Sequence, residues 1–133
     1  MGAFLDQAKH NESLLDLLDE KYPDSFFDWK ITISFYAIVH YMNEYLIDGG
    51  RNITVADHKE RNCQLNPNCK ESQFPLKEED WEKFYEIYLK CRAVRYNGIR
   101  NKSIQFQKWK EDYQTVKQHF KDLKIFVEND LGI

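Results

Sequence analysis

Little in this chain serves either to staple a fold or to interrupt one. Its 133 residues hold three cysteines, three prolines and five glycines. A chain of this length buries a core without cross-links, and an odd cysteine count fits thiols kept reduced, as in a cytoplasmic protein. No CxxC pair is present: Cys63 and Cys69 stand six apart and Cys91 falls within a helical stretch. That spacing is wrong for a zinc knuckle that would also enlist His40 or His58, so neither metal nor cofactor is expected. There is no glycine-rich phosphate loop, and Gly49-Gly50 is expected to be a helix stop. Positive charge is not in surplus either, because the net charge is −3 with 31% charged residues. Any contact with nucleic acid must therefore come from a local patch. Met1 to Ala8 has no basic region followed by an apolar run, and the most apolar stretch is interrupted by Lys30 and Glu44. Neither a secretory leader nor a membrane span is expected.

What the chain does have is aromatic and aliphatic residues at helical spacing. Aromatics make up 15% of the residues, and their period marks them as core rather than a base-stacking platform. The first helix is expected over about Phe4 to Glu20, apolar on one side and acidic on the other, with Pro23 closing it. A second runs from Asp24 or Ser25, as cap, to Asp48. One of its stripes holds Phe27, Ile31, Phe35, Ile38, Met42 and Tyr45, and another Trp29, Ile33, Tyr36 and His40. The small or polar strip of Lys30, Ser34, Ala37, Tyr41, Glu44 and Asp48 is left as its solvent face. A short third helix lies within ADHKERNCQL, capped by Thr54 or Asp57 and closed at Pro67. The fourth opens on the acids of KEED and fails near Asn97-Gly98, and the last repeats Phe106, Trp109, Tyr113, Val116, Phe120, Leu123 and Val127. No strand alternation, repeat or linker occurs. The expectation is a single all-α domain over residues 1–133, an up-and-down helical bundle of four long helices plus one short helix.

Candidate functional residues follow from the same registers. His40 is a titratable ring on a stripe of Trp, Ile and Tyr. His58 and Arg61 open the short helix, whose free amides favour an anion. On the fourth helix Arg92 and Arg95 continue the face of Trp81, Tyr85 and Tyr88, with Tyr96 adjacent. Arginines at the margin of a core serve either as ion-pair partners there or as the clamp of a phosphate site. The acids within reach are Glu44, Asp57 and Glu60. If they do not neutralise the arginines, an anionic ligand is the missing partner.

Three segments in order carry a resemblance: Ser34 to His40, Asp57 to Asn62, and Tyr88 to Tyr96. Together with the length and helix count, they make the chain resemble the small HEPN (higher eukaryote and prokaryote nucleotide-binding) domain proteins. The resemblance implies a bundle that is usually a homodimer. Many members cleave RNA without a metal, and others bind a nucleotide or a protein partner. The nuclease members carry an arginine followed after a short spacer by a histidine. Arg61, Arg92, Arg95 and Arg100 have no such histidine; Arg51 does, with Asn52 to Asp57 between it and His58, but that pair lies in the connection after the second helix. The expected function is accordingly a dimeric, non-catalytic binding module for a nucleotide, RNA or protein partner through His40, His58, Arg61, Arg92, Arg95 and Tyr96. The alternative is a metal-independent endoribonuclease, with a histidine as acid or base and an arginine on the charged transition state.

Overall fold

A computed structural model of the protein describes residues 2–48, 51–96 and 102–133, with the side chains of residues 48, 96 and 102–106 outside that description. It is all helical: α1 (Ala3–Lys21), α2 (Phe27–Asn43), α3 (His58–Leu65), α4 (Glu78–Tyr96) and α5 (Lys102–Leu131). Beyond Asn43, α2 continues through one wider π-wound turn over Glu44–Asp48. The expected glycine stop at residues 49–50, the break at 97–98 and the side chain of Phe106 lie outside the described residues.

A capping box sets the start of α3. Asp57 caps α3 by accepting from the Glu60 amide at 2.8 Å, and Glu60 reaches back to the Ala56 amide at 2.7 Å. The expected cap of α2 by Asp24 or Ser25 is not made. The residue ahead of the first turn is Phe26, in the left-handed region at φ 60° with no side-chain cap bond, so the helix starts two residues late and the Phe26 ring is thrown outward.

Within the bundle, α2 is packed by α1, α4 and α5. The period expected of α5 holds: Trp109, Tyr113, Val116, Phe120, Leu123 and Val127 are all buried. The stripe of Phe27, Ile31, Phe35, Ile38, Met42 and Tyr45 is buried as expected, but the other two faces of α2 exchange places. Its small and polar strip is the buried one, with Lys30 at 0% exposure and Ser34, Ala37, Tyr41 and Glu44 buried beside it, whereas Trp29 is 61% exposed and Ile33, Tyr36 and His40 are half-buried. The reason lies on α1, whose acids turn inward. Lys30 pairs with Asp19 at 3.3 Å and donates to the Tyr22 carbonyl, while Tyr41 donates its hydroxyl proton to Glu12. Glu44 accepts from the Gly2 amide at 3.2 Å. Small side chains at Ser34 and Ala37 let α1 come close, and each polar end then finds a partner there.

The α4 stripe also sits further out than expected. Phe84, Ile87, Cys91 and Val94 fill the core, while Trp81, Tyr85 and Tyr88 form a ladder of stacked rings, with centroids 5.1 and 5.8 Å apart, at its margin. Arg92 and Arg95 continue that ladder as exposed residues.

Two of the three cysteines are not free thiols, contrary to expectation. Cys63 and Cys69 form a disulfide with 5.5 Å between their Cα atoms. Cys91 is buried and free, its thiol pushed up to about 11 chiefly by burial. Among the described residues no helix is long and apolar enough to cross a membrane.

The Lys30 pocket is testable by urea denaturation. Lys30→Ala removes both the stem and the charge from a fully buried site and should cost about 2 to 4 kcal/mol. Lys30→Met keeps the packing volume and should recover most of that loss. Equal losses for the two variants would show that the ion pair, not the packed stem, holds the site.

Candidate anion site at the junction of α2, α3 and α4

The site is built on α3, an eight-residue helix that buries only Arg61 and Leu65. His58 and Arg61 are one turn apart and share a face. The imidazole of His58 is held between Phe35 of α2, at 5.5 Å between ring centroids, and Tyr88 of α4, at 6.2 Å. Arg61 is 8% exposed. Its Nε donates to Asn43 Oδ1 at 2.9 Å and its Nη1 to His58 Nδ1 at 2.8 Å. A guanidinium only donates, so Nδ1 of His58 must be the unprotonated nitrogen and Nε2 must carry the hydrogen.

Electrostatics favour a neutral ring. Burial, and then the field of Arg61 and Arg95, holds His58 below its ordinary value of 6.5, with Asp57 opposing weakly. Burial and Arg61 lower His40 in the same way. The Arg61 guanidinium is itself lowered by burial. His40 lies against the Phe4 ring at 6.3 Å, and its Nδ1 is buried with no hydrogen-bond partner among the described residues.

The nearby acids are engaged elsewhere. Asp57 and Glu60 cap α3, and Glu44 binds the Gly2 amide. Asp57 reaches Arg61 only through its field. No carboxylate among the described residues pairs with Arg61, and its Nη2 has no hydrogen-bond partner there.

Of the predicted residues, the structure brings His40, His58 and Arg61 into one electrostatic cluster. Arg95 is near enough to act on His58, and its Nη1 donates to the Tyr36 hydroxyl at 2.8 Å. Arg92 is set over the other ring of the ladder, 5.8 Å from the centroid of Tyr88. The Tyr96 side chain lies outside the described residues. Arg51 and His58 are not brought together. Arg51 is spent on Asp130 at 2.8 Å and on the Tyr45 carbonyl at 3.1 Å, with its guanidinium over the Tyr45 ring. Asn43 was missed as a site residue, yet the stripe of Trp29, Ile33, Tyr36 and His40 extended by one turn reaches it. Beyond Arg95 a cleft of about 490 Å³ opens between α2, α4 and α5, lined by Asp28, Trp29, Tyr36, Val94, Arg95 and Trp109 among others.

The chain matches no protein-family model, no curated protein and no solved structure. A buried cation with no carboxylate paired to it among the described residues, beside imidazoles whose proton affinity is lowered, suits capture of an anion.

A pH dependence follows. Both histidines bind protons less readily in the folded chain than in the unfolded one, so the stability they contribute is present above 6.5 and is lost as the pH falls through their lowered folded values. The urea midpoint should therefore drop between about pH 7 and pH 5, before carboxylates dominate. His58→Gln should flatten that slope; an unchanged slope in this variant would remove His58 as its source.

Proposed function

We propose that the protein is a dimeric binding module of the HEPN type that holds the phosphate of a nucleotide or RNA at Arg61 without cleaving it. The observation that carries this reading is the buried Arg61 guanidinium, bonded to Asn43 and His58 but to no carboxylate among the described residues. Burying a charge without a partner is costly, and a phosphate oxygen at Nη2 would supply the missing counter-charge. His40 and Arg95 flank that position in the electrostatic sense, and the cleft past Tyr36 offers room for a sugar and base.

Binding is favoured over cleavage by the state of His58. A general base needs an unprotonated ring nitrogen facing the substrate, and the one on His58 is taken up by Arg61 at 2.8 Å. The endoribonuclease reading has no comparable support.

The dimer is assigned to α1 and the start of α2. Leu14, Leu18, Tyr22, Phe26, Trp29 and Ile33 line one continuous apolar groove, and Tyr22, Phe26 and Trp29 are each near half exposed or more. With the neighbouring leucines they present roughly 400 Å² of apolar surface, about half of what one partner of a standard interface buries. A two-fold contact joins the same patch on both subunits, so this one face would serve both copies. A second copy is the occupant that fits.

Two measurements decide these assignments. Arg61→Met should weaken binding of a 5′-phosphorylated oligoribonucleotide by roughly 1.5 to 3 kcal/mol while leaving the melting temperature equal or higher, because the isostere removes an unpaired buried charge. A sharp fall in melting temperature with intact binding would make Arg61 a purely structural residue. Separately, sedimentation should give a dimer at micromolar concentration and a monomer for Trp29→Glu; a wild-type monomer would dismiss the interface.

A further inference from the structure

The disulfide lies on the helix that carries the proposed anion site. Cys63 belongs to α3, two residues after Arg61, and Cys69 to the turn that follows. That turn is also held by hydrogen bonds: Ser72 donates its hydroxyl to the Gln64 carbonyl at 2.5 Å, and Leu76 its amide to the Leu65 carbonyl at 3.0 Å. Asn68 and Cys69 donate their amides to Asn66 at 2.9 and 3.1 Å, and Gln64 bridges to the backbone of Glu71 and Gln73. An eight-residue helix is marginal by itself. The apolar hold on α3 is Leu65 and the ring of His58; Arg61 is buried on polar contacts, and the remaining residues of the helix are exposed or only half-buried. A covalent tie across its last turn thus bears on whether His58 and Arg61 stay in place at all. Cys63 and Cys69 are themselves half-buried, so the bond is within reach of a thiol.

We infer that the Cys63–Cys69 disulfide is a redox clamp on the anion site, ordering α3 when oxidised and loosening it when reduced. The inference rests on the reading of Arg61 and His58 as a phosphate site. The reductant is a dithiol. Its thiolate attacks one sulfur of the pair, which forms a mixed disulfide and expels the other cysteine as a thiolate that takes up a proton. The second thiol of the reductant then attacks the mixed disulfide, frees the second cysteine, and leaves as a cyclic disulfide. Two electrons and two protons have passed to the protein. The Glu71 carboxylate stands 3.3 Å from the Cys69 sulfur and 3.8 Å from that of Cys63. Its negative charge repels an incoming thiolate and disfavours a departing one. Exchange should therefore be slow with small anionic thiols and should speed up in Glu71→Gln.

The clamp is tested with the full chain, oxidised and then reduced by dithiothreitol, using two readouts. The first is amide hydrogen exchange: reduction should raise exchange in residues 58–65 by roughly tenfold or more, with α1, α2 and α5 unchanged. The second is affinity for inorganic phosphate by calorimetry, which should fall by a similar factor. A variant with Cys63→Ser and Cys69→Ser should behave as the reduced form and ignore dithiothreitol. Equal α3 exchange in both states, or uniform loosening of the whole bundle, overturns the clamp. Faster α3 exchange with unaltered phosphate affinity overturns its control of the site while leaving the site intact. If neither state binds phosphate or the phosphorylated oligoribonucleotide, the site reading itself fails, and redox control of it fails too.

Discussion

The pairing of Lys30 with Asp19 fixes how the central helix is rotated, and the placement of the site depends on that rotation. Lys30 is fully buried, with its ammonium over the rings of Phe27 and Tyr113 at 5.0 and 5.7 Å. Asp19 also receives the Tyr113 hydroxyl at 2.8 Å and Lys117 at 3.3 Å. One carboxylate on α1 thereby ties α2 to α5. Judged on apolar content alone, α2 would bury the Trp29 stripe and give Lys30 to water. The polar groups of α1 reverse that choice, because Asp19 and Glu12 facing the core need Lys30, Tyr41, Tyr113 and Lys124 opposite them. A buried ion pair adds little net stability over an apolar one, but an unmatched one is costly enough to exclude the other rotation. With α2 turned this way, Trp29 meets solvent at one end of the stripe and His40 and Asn43 meet α3 at the other.

Two places on that outward stripe depart from what stability alone would select. At its start, Phe26 adopts φ 60°, a conformation unfavourable for a residue with a Cβ, and presents an exposed ring. At its end, Arg61 is desolvated and two histidines are held neutral. Both lie where partners are proposed to dock, and local cost of this kind is what binding surfaces commonly retain. The wider turn at Glu44–Asp48 falls directly after Asn43, the last residue of regular α2, whose amide oxygen accepts from the Arg61 guanidinium.

The helices were legible in the sequence wherever one residue type acts locally. Pro23 closes α1, Asp57 caps α3 through the Glu60 amide, and the apolar period of α5 is buried along its described length. On α2 the stripe from Phe27 to Tyr45 was legible too, but the choice between its other two faces was not, since hydropathy along one helix carries no information about which acids its neighbour turns inward. The disulfide was hidden for a related reason: a separation of six is bonded only because the Asn66 turn folds Cys69 back under α3. Within the site, His58, Arg61 and His40 were found from their odd positions in the pattern. Arg92 and Arg95 were expected to extend a buried aromatic stripe, but of that stripe Trp81 is buried, Tyr88 half-buried and Tyr85 exposed, and among the described residues the buried arginine is Arg61 on the short α3.

The bonding of Arg61 also limits how it can hold a ligand. Nε–H and one N–H of Nη1 are engaged by Asn43 and His58, which leaves three of the five N–H donors, two of them on Nη2. The side-on bidentate grip through Nε and Nη2 is closed to a phosphate while Asn43 keeps Nε, which narrows the geometric selection that arginine alone can give. Discrimination among anions would then fall to the groups whose fields already overlap at His58, namely Arg95 and, through Arg61, His40. Should a phosphate draw Nη1 away, the Nδ1 of His58 would be released beside a new negative charge, and its proton affinity would rise toward the ordinary value. Ligand binding and proton uptake at His58 are therefore coupled by the same hydrogen bond that keeps the imidazole from acting as a base in the free protein.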